Sequence, residues 1–293
     1  MANVRDLKVR IKSIGNIRQI TRAMEMVATT KLRRFQDRAL AAGPYSDQVE
    51  QLVASLAAML GGENEHPLFE EREGKKIAVL VVGSDRGLCG AYNSNISTCI
   101  RDWMLEMKES LPGAELSFFA VGARAVSTLQ RRGLKVEQSF EDPKLEHMDY
   151  ADTAAIARFF VESFLNGDFD QVKICSTRFE SLSRFNPGVH SFLPLSQLSA
   201  GEGDESTREL ILEPSRERIF EAVVPKYLET RMFALLLQAL TAEYASRMIS
   251  MKNATEAAGD MQGQLKKQYN RARQERITKE LLDIVGGAEA IAG

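Results

Sequence analysis

The C-terminal segment of the chain constrains the fold most strongly, because helix-forming residues continue almost without interruption from about Pro214 to Gly286-Gly287. About 70 residues rising ~1.5 Å each make a helix of roughly 105 Å, which a compact domain of this size cannot contain. Val224-Pro225 predicts either a kink or a new first turn beginning at Pro225. Apolar residues recur at helical spacing at Ile219, Val223, Tyr227, Phe233, Leu236, Leu240, Tyr244, Met248, Met251, Ala258, Met261, Leu265, Ile277, Leu281 and Ile284. So long a helix needs a second helix to cover this stripe.

The N-terminal segment supplies a matching stripe. Its apolar residues recur at steps of three and four, which predicts a helix, and its mean step below 3.6 residues is typical of a left-handed coiled coil. Gly15 within it indicates a close approach of another chain segment. Gly43-Pro44 predicts a break or kink, and a second amphipathic stretch then ends at Gly61-Gly62. The stripe consists of Val4, Leu7, Ile11, Ile14, Ile17, Ile20, Met24 and Val27, with Leu32 and Phe35 extending it.

The middle of the chain has the alternating pattern of an α/β domain. The continuous apolar run at 75–83 is typical of a buried parallel strand. Strands alternating with helices indicate a mostly parallel sheet. The predicted strands are 75–83, 116–122, a short third from 134, and 171–176, the predicted helices are 94–109, 124–132 and 152–165, and residues ~196–207 form a flexible loop.

We therefore predict an α/β fold class: a long antiparallel coiled coil of the N- and C-terminal helices with an inserted Rossmann-like α/β domain. The predicted segments are an N-terminal coiled-coil helix at 1–60, the central α/β domain at 74–195 and a C-terminal coiled-coil helix at 212–293. The alternative is a helical bundle packed around the middle of the chain.

The charge is distributed unevenly along the chain. The 38 Lys and Arg nearly balance the 40 Asp and Glu, yet residues 1–42 carry +7, residues 43–214 carry −11 and residues 215–293 carry +2. Charge asymmetry of this size indicates that the segments meet different surroundings. The basic N-terminal helix is consistent with nucleic-acid phosphates and equally with a protein partner that presents acidic loops.

No catalytic, cofactor or metal site emerges from the motifs. The loop SDRGLCG at 84–90 follows the first strand, but its glycines are spaced GxxxGxxG, and no Gly-Lys-Ser/Thr follows. Cys89 has no evident histidine partner, since His66, His147 and His190 are scattered. The 3 cysteines form no CxxC pair, which favours free thiols in a reducing compartment. A nucleotide-dependent enzyme that uses the middle domain and a coiled-coil nucleic-acid binder remain as alternative functions.

Two further absences bear on the compartment. The chain holds no apolar run of ~18–20 residues that would span a bilayer. Its N-terminus lacks the apolar region of a signal peptide and does not resemble a transit peptide. These observations predict an intracellular protein without a membrane-spanning segment.

Four motifs together resemble the gamma subunit of the F-type ATP synthases. They are IGNIRQITRAMEMVA at 14–28, SDRGLCG at 84–90, ASRMISMKNAT at 245–255 and YNRARQERITKEL at 269–281. They occur in the family's order from one end of the chain to the other. The resemblance agrees with the architecture read from periodicity alone.

The resemblance implies a rotor shaft. In that family the gamma subunit couples proton-driven rotation of the c-ring to ATP synthesis at the beta-subunit catalytic sites. Its expected partners are the alpha and beta subunits of the catalytic hexamer, the epsilon subunit and the c-ring. No nucleic acid is implied, and membrane contact is indirect, through the c-ring. It is a non-catalytic subunit of this proton-transporting two-sector ATPase, with no cofactor or metal on its own chain, peripheral on the cytoplasmic face of the bacterial inner membrane.

The resemblance also implies which residues contact the beta subunit. Arg22, Met24 and Glu25 match the helix facing a mobile acidic segment of beta, with Arg33 and Arg34 further along the same basic surface. Arg273 and Gln274 match a pair that hydrogen-bonds a beta-subunit catch loop, followed by Thr278 and Glu280. The chain lacks the dithiol insertion of chloroplast relatives, so the resemblance implies a bacterial-type subunit without that thiol switch. An apolar tip would turn inside a sleeve and consists of Ile277, Leu281, Leu282, Ile284, Val285 and Ile291.

Overall fold

The computed structural model describes residues 4–59, 67–72, 74–182, 184–195 and 216–292. The chain divides into two compact units. The first, Met1–Thr29 with Arg247–Gly293, is called here the helix-pair unit; the second, Thr30–Ser246, is called the α/β unit. The predicted loop at ~196–207 lies outside the described residues.

The two long helices are α1, Val4–Met59, and α5, Arg216–Ala292. Pro44 lies inside α1, so of the predicted break or kink at Gly43-Pro44 the break does not occur. Pro225 likewise lies inside α5 and is not a first-turn residue. A proline removes one backbone donor, and the hydrogen bonds of helices with 56 and 77 residues continue on both sides of it.

In the helix-pair unit, α1 and α5 run antiparallel. Thr255 donates a hydrogen bond to Thr21 at 2.9 Å. A Cβ on Gly259 would lie 3.4 Å from Arg18, and a Cβ on Gly15 would lie 2.8 Å from Gln262. Since numbers rise on one helix as they fall on the other, the predicted antiparallel pairing and the close approach at Gly15 are confirmed.

The seam of α1 differs from the predicted stripe. Ile17, Ile20 and Val27 are 48%, 59% and 56% exposed, so their assignment to the buried face is wrong. The rest of the predicted stripe is covered: Leu7, Leu32 and Phe35 are buried, and Val4, Ile11, Ile14 and Met24 are half-buried. Thr21 and Ala28, which the predicted stripe omits, are covered as well, so that Leu7, Ile14, Thr21, Ala28 and Phe35 repeat every seven positions, as a coiled coil requires. The prediction failed at three positions because polar Thr21 occupies a place in the seam, while Ile17 and Ile20 lie outside it.

The α/β unit contains one five-stranded sheet in the order β3-β2-β1-β4-β5. The first four strands pair in parallel, and β5 is antiparallel to β4. The sequence analysis missed β5, because Pro187 and Gly188 are ordinary strand breakers that an edge strand tolerates. The strands are β1 Lys76–Val82, β2 Glu115–Val121, β3 Val136–Phe140, β4 Gln171–Ser181 and β5 Arg184–Leu193.

Helices cover both faces of this sheet. They are α2, Tyr92–Ser110; α3, Ala123–Arg131; and α4, Tyr150–Leu165, preceded by a short 3-10 helix at Leu145–His147. Asp149 and Asp152 form a reciprocal capping box that begins α4. The predicted fold class is confirmed.

Candidate functional site

The residues expected to contact a partner form two groups in the helix-pair unit. Arg22 is exposed on α1, whereas Met24 and Glu25 are half-buried. Thr21 lies opposite Thr255, so residue 273 lies 18 residues further along α5, about 27 Å at the rise of an α-helix. The structure therefore does not bring the two groups together into one site.

The second group lies on an exposed part of α5. Arg273, Gln274, Thr278 and Glu280 are all exposed. Glu280 accepts a hydrogen bond from Arg276 at 2.7 Å. The antiparallel pairing explains this exposure, because Gly15 lies beside Gln262 and few residues of α1 precede Gly15 to cover the end of α5.

The end of α5 presents large apolar side chains to solvent. Five residues of the predicted apolar tip are between 47% and 68% exposed: Ile277, Leu281, Leu282, Ile284 and Val285. The side chain of Ile291 lies outside the described residues. Apolar surface left open in this way is typical of a segment that another protein covers.

The loop 84–90 uses its polar groups internally. Asn93 on α2 donates to the Ser84 hydroxyl at 2.7 Å and accepts from the Ser84 amide at 3.2 Å. Ser84 donates to the Arg86 carbonyl at 2.8 Å, and Asn93 also donates to the Cys89 sulfur at 3.1 Å. Leu88 and Gly90 both have positive φ, which gives the loop its tight return into α2. These bonds support a structural role for the motif rather than a phosphate cradle.

Within the α/β unit, the same loop and the start of α2 bond to the part of α5 that belongs to this unit. Ser246 donates a 2.7 Å hydrogen bond to the Cys89 carbonyl. Tyr92, at the start of α2, donates to the Ala239 carbonyl at 3.2 Å. Burial, with the Glu243 charge beside it, raises the Tyr92 pKa well above its usual value, so the hydroxyl keeps its proton. Cys89 within the loop and Tyr92 just after it thus bond to α5, and residues 84–90 are called here the clasp loop.

Glu146, a half-buried residue, contacts three parts of the α/β unit through its carboxylate. It accepts from Lys31 on α1 at 2.5 Å, from Tyr244 on α5, and lies 3.6 Å from Arg86 in the clasp loop. Burial raises the pKa of Glu146, but the hydrogen bonds from Lys31 and Tyr244 outweigh it and lower the pKa to about 2. The carboxylate is therefore charged at neutral pH and holds both long helices.

Glu229 on α5 forms a second such cluster. Its side chain accepts from Arg158 on α4 at 2.9 Å and from Lys226 at 2.8 Å. Burial opposes the charge of Glu229, yet the contacts with Lys226 and Arg158 lower its pKa overall. Glu229 therefore links α5 to α4.

We expect the Glu146 cluster to make stability pH-dependent. The pKa of Glu146 lies near 2 in the folded chain and near 4.5 when it is free, so its contribution is present above pH ~4.5 and is lost as the pH falls toward ~2. This difference in pKa corresponds to about 3 kcal/mol. Urea unfolding of the chain and of Glu146→Gln should differ most at pH 7 and converge only as the pH reaches ~2. A difference that is the same at both pH values would contradict the assignment.

Sequence reasoning missed Glu146 and Glu229 as functional residues. Glu146 meets Lys31 and Tyr244 from distant parts of the chain, and no local motif marks such a meeting. Ser246 lies within the motif at 245–255. That motif was the one sequence signal for the contact between α5 and the clasp loop.

Within residues 4–59, 67–72, 74–182, 184–195 and 216–292, no cluster of three or more His, Cys, Asp and Glu residues suits a metal ion. No helix within them is both long and apolar enough to cross a membrane. His66 lies outside the described residues.

One unit of antiparallel long helices and one unit with a mostly parallel sheet define the class of protein, and comparisons with known proteins identify the family. A family model described as ATP synthase matches residues 3–291. The chain is 39% identical over 293 residues to the ATP synthase gamma chain of Dehalococcoides mccartyi, covering 100% of both chains. It is 41% identical over 303 residues to that of Rhodopirellula baltica, again covering 100% of both. The chain therefore belongs to the ATP synthase gamma-chain family.

Solved structures show the same fold. The central stalk and c-ring structure of the Tetrahymena thermophila mitochondrial ATP synthase contains a chain that matches with a TM-score of 0.56 at 25% identity, covering 80% of this chain and 99% of that one. A chain in the rotor of the Euglena gracilis mitochondrial ATP synthase matches with a TM-score of 0.62 at 17% identity, covering 94% and 98%. The second likeness concerns the fold alone.

Proposed function

We propose that this chain is the rotating shaft of the central stalk in a proton-translocating F-type ATP synthase. Rotation of the c-ring, driven by the proton gradient, would turn the shaft and force the beta subunits through successive conformations. The partners would be the alpha and beta subunits, the epsilon subunit and the c-ring, with membrane contact only through the c-ring. The observation that carries this proposal is the full-length match to gamma chains.

The fastening of α5 suits a part that transmits torque. Ser246 and Tyr92 attach α5 to the clasp loop and α2, while Glu146 and Glu229 add charged contacts. A force that turns the sheet would therefore be transmitted to α5 by these hydrogen bonds and ion pairs together. Rigid attachment of this kind serves rotation better than it serves catalysis.

No residue of this chain carries the chemical step in our proposal, and no cofactor or metal is bound on it. The loop where a phosphate would otherwise sit has Ser84 and Asn93 bonded to each other. The ATP-hydrolysing sites would belong to the beta subunits, and the complex would lie on the cytoplasmic face of the bacterial inner membrane.

Activity of the isolated chain tests this proposal. The purified chain is expected to hydrolyse no ATP alone and to co-purify with an ATP-hydrolysing complex when tagged in its native cell. Release of phosphate from ATP measures the first, and mass spectrometry of the purified complex measures the second. Turnover by the chain alone, at a rate that follows its concentration through a final gel-filtration column, would overturn the non-catalytic assignment.

The beta-subunit contacts are proposed at the two groups in the helix-pair unit. Arg22, with half-buried Met24 and Glu25, would meet an acidic beta segment. Arg273 and Gln274 would hydrogen-bond a beta loop, with Thr278 and Glu280 beside them.

The pattern of ion pairs on α5 supports a special role for Arg273. Arg271 pairs with Glu275 at 3.0 Å, and Arg276 pairs with Glu280 at 2.7 Å. Arg273 is exposed, and within the described part of α5 no carboxylate pairs with it. Its planar guanidinium can therefore offer a two-pronged hydrogen bond to another chain, a geometry that lysine would not reproduce.

A further inference from the structure

An open groove of about 520 Å³ lies in the α/β unit between α2 and the edge strand β5. Its volume is within the range of sites that hold small ligands. The residues of α2 that line it recur every three or four positions from Asn95 to Glu106, so they share one face of the helix. That face is about 16 Å long at the rise of an α-helix.

Part of the groove wall is apolar. Cys99 and Trp103 on α2 and Pro187 and Val189 on β5 line it, and all four are half-buried. Cys99, Trp103 and Val189 also pack against the buried cluster between α2 and the sheet, which holds this part of the wall in place. Trp103 is the single tryptophan of the chain, and tryptophan is the aromatic side chain that attracts cations most strongly.

The same wall carries two carboxylates. Asp102 and Glu106 are exposed and lie one helical turn apart on α2, which places their Cβ atoms about 6 Å from each other. Arg101 pairs with Asp102 at 2.7 Å, but an exposed pair of this kind is weak. Within the described residues, no basic side chain lines the groove and no cation pairs with Glu106. The wall is therefore negatively charged, and its two like charges repel each other.

We propose that this groove binds a linear aliphatic diamine, with one ammonium group at Asp102, the other at Glu106 and the methylene stem against Trp103. Alkyl ammonium groups keep their protons at neutral pH, as lysine side chains do. Both charges of the ligand then meet an opposite charge, and the repulsion between the two carboxylates is relieved. The stem covers apolar surface of Trp103 and Val189 that water otherwise contacts.

The spacing of the carboxylates favours a dication over a single cationic group. A lysine or arginine side chain of another protein carries one charge at the end of its stem, so it would pair with Asp102 or Glu106 and leave the other unpaired. An extended four-carbon diamine separates its nitrogens by about the distance between neighbouring side chains one helical turn apart. It therefore reaches both carboxylates at once.

The fluorescence of Trp103 tests the proposal, because this single tryptophan lies in the groove wall. The full-length chain is titrated with 1,4-diaminobutane at constant ionic strength, and 1,4-butanediol is the uncharged ligand with the same stem. We expect a saturable change in Trp103 emission at millimolar diaminobutane and none with butanediol. Equal changes with the two ligands, or no saturable change with the diamine, would overturn the proposal.

Glu106→Gln and Glu109→Gln are the matched variants. Both remove one negative charge from α2 and keep Trp103 as the reporter, but Glu109 is exposed and does not line the groove. Glu106→Gln is expected to weaken diaminobutane binding roughly three- to fivefold, the range of an ion pair that is partly open to solvent. Glu109→Gln is expected to leave the affinity within about twofold of the wild type. If the two variants weaken binding equally, the general charge of α2 attracts the ligand and the groove site is refuted.

A third ligand, 1-aminobutane, tests whether both carboxylates are engaged. It carries one charge on the same stem, so the wild type should bind it several times more weakly than the diamine. In Glu106→Gln this preference for the diamine is expected to fall, because one of the two carboxylates is gone. A wild-type chain that binds both amines equally would show that a single charge is recognised, as a lysine side chain would be, and the diamine site would be wrong.

Discussion

Replacing Gly122 with alanine is expected to destabilise the α/β unit by about 3 kcal/mol or more, from added strain and overpacking. Gly122 has φ +87° and ψ 138°, a conformation that L side chains rarely adopt. A Cβ there would lie 2.4 Å from the carbonyl oxygen of Gly83. That oxygen belongs to backbone, so relief requires the end of β1 to move away from the start of α3.

This movement would disturb the clasp loop itself. Gly83 donates to the Val121 carbonyl at 2.9 Å, and Arg124 donates to the Ser84 carbonyl at 2.9 Å. Both bonds lie at the point where the new methyl group would push. The clasp loop follows directly, and the carbonyl of its Cys89 accepts a hydrogen bond from Ser246 on α5. A shift of the loop would therefore weaken the attachment of α5.

Gly133→Ala is the matched control for Gly122→Ala. Gly133 also has a positive φ of +72°, but no heavy atom lies within 4 Å of the position its Cβ would take. Its cost is therefore conformational strain alone, about 1 kcal/mol. Urea unfolding of the full-length variants at one pH measures both costs. Equal destabilisation by the two substitutions would show that the contact with Gly83 does not matter.

Much of the α/β unit was predictable because its strands are buried on both faces. Six of the seven residues of β1 are buried, and that produces the continuous apolar run seen in the sequence. The edge strand β5 was not predictable in this way, because only Phe192 and Leu193 at its end are buried. Edge position, a property of the assembled sheet, decides which residues a strand tolerates.

The coiled-coil seam shows a different limit of sequence reasoning. Both helices and their antiparallel pairing follow from length and apolar spacing, but the face of α1 does not. Thr21 lies in the seam and Ile20 outside it, because α5 presents Thr255 and Gly259 along this stretch. The apolar pattern of one helix alone does not show which side chains its partner helix presents, so it does not determine the buried face. The exposed isoleucines are then available to surfaces outside this chain.

The ion clusters were beyond the sequence for a third reason. Glu146 meets Lys31, and Glu229 meets Arg158, only after the sheet and helices have assembled. No short motif encodes contacts across such separations. The proposed partner residues, by contrast, came from resemblance, and they remain predictions that require the assembled complex.

Replacing Arg273 with alanine in that complex is expected to weaken coupling between ATP hydrolysis and proton pumping. A charge-assisted hydrogen bond is worth about 1.5–3 kcal/mol, so its loss would weaken the proposed shaft–beta contact roughly 10- to 100-fold. Inverted membrane vesicles report both quantities, as quenching of a pH-sensitive dye and as phosphate released. We expect the proton gradient formed per ATP to fall severalfold, while the complex still assembles.

Arg276→Ala is the control that makes this test specific to the contact. Arg276 is as exposed a cation on the same stretch of α5, but its guanidinium already pairs with Glu280 at 2.7 Å. Arg276→Ala changes the net charge of the helix by the same amount as Arg273→Ala. It also removes an exposed ion pair that contributes only ~0.3–0.5 kcal/mol to stability. If Arg273→Ala and Arg276→Ala lower the gradient equally, charge on α5 is what matters and the directed hydrogen bond of Arg273 is refuted. If Arg273→Ala alone lowers it, with hydrolysis retained, the position of the guanidinium carries the coupling.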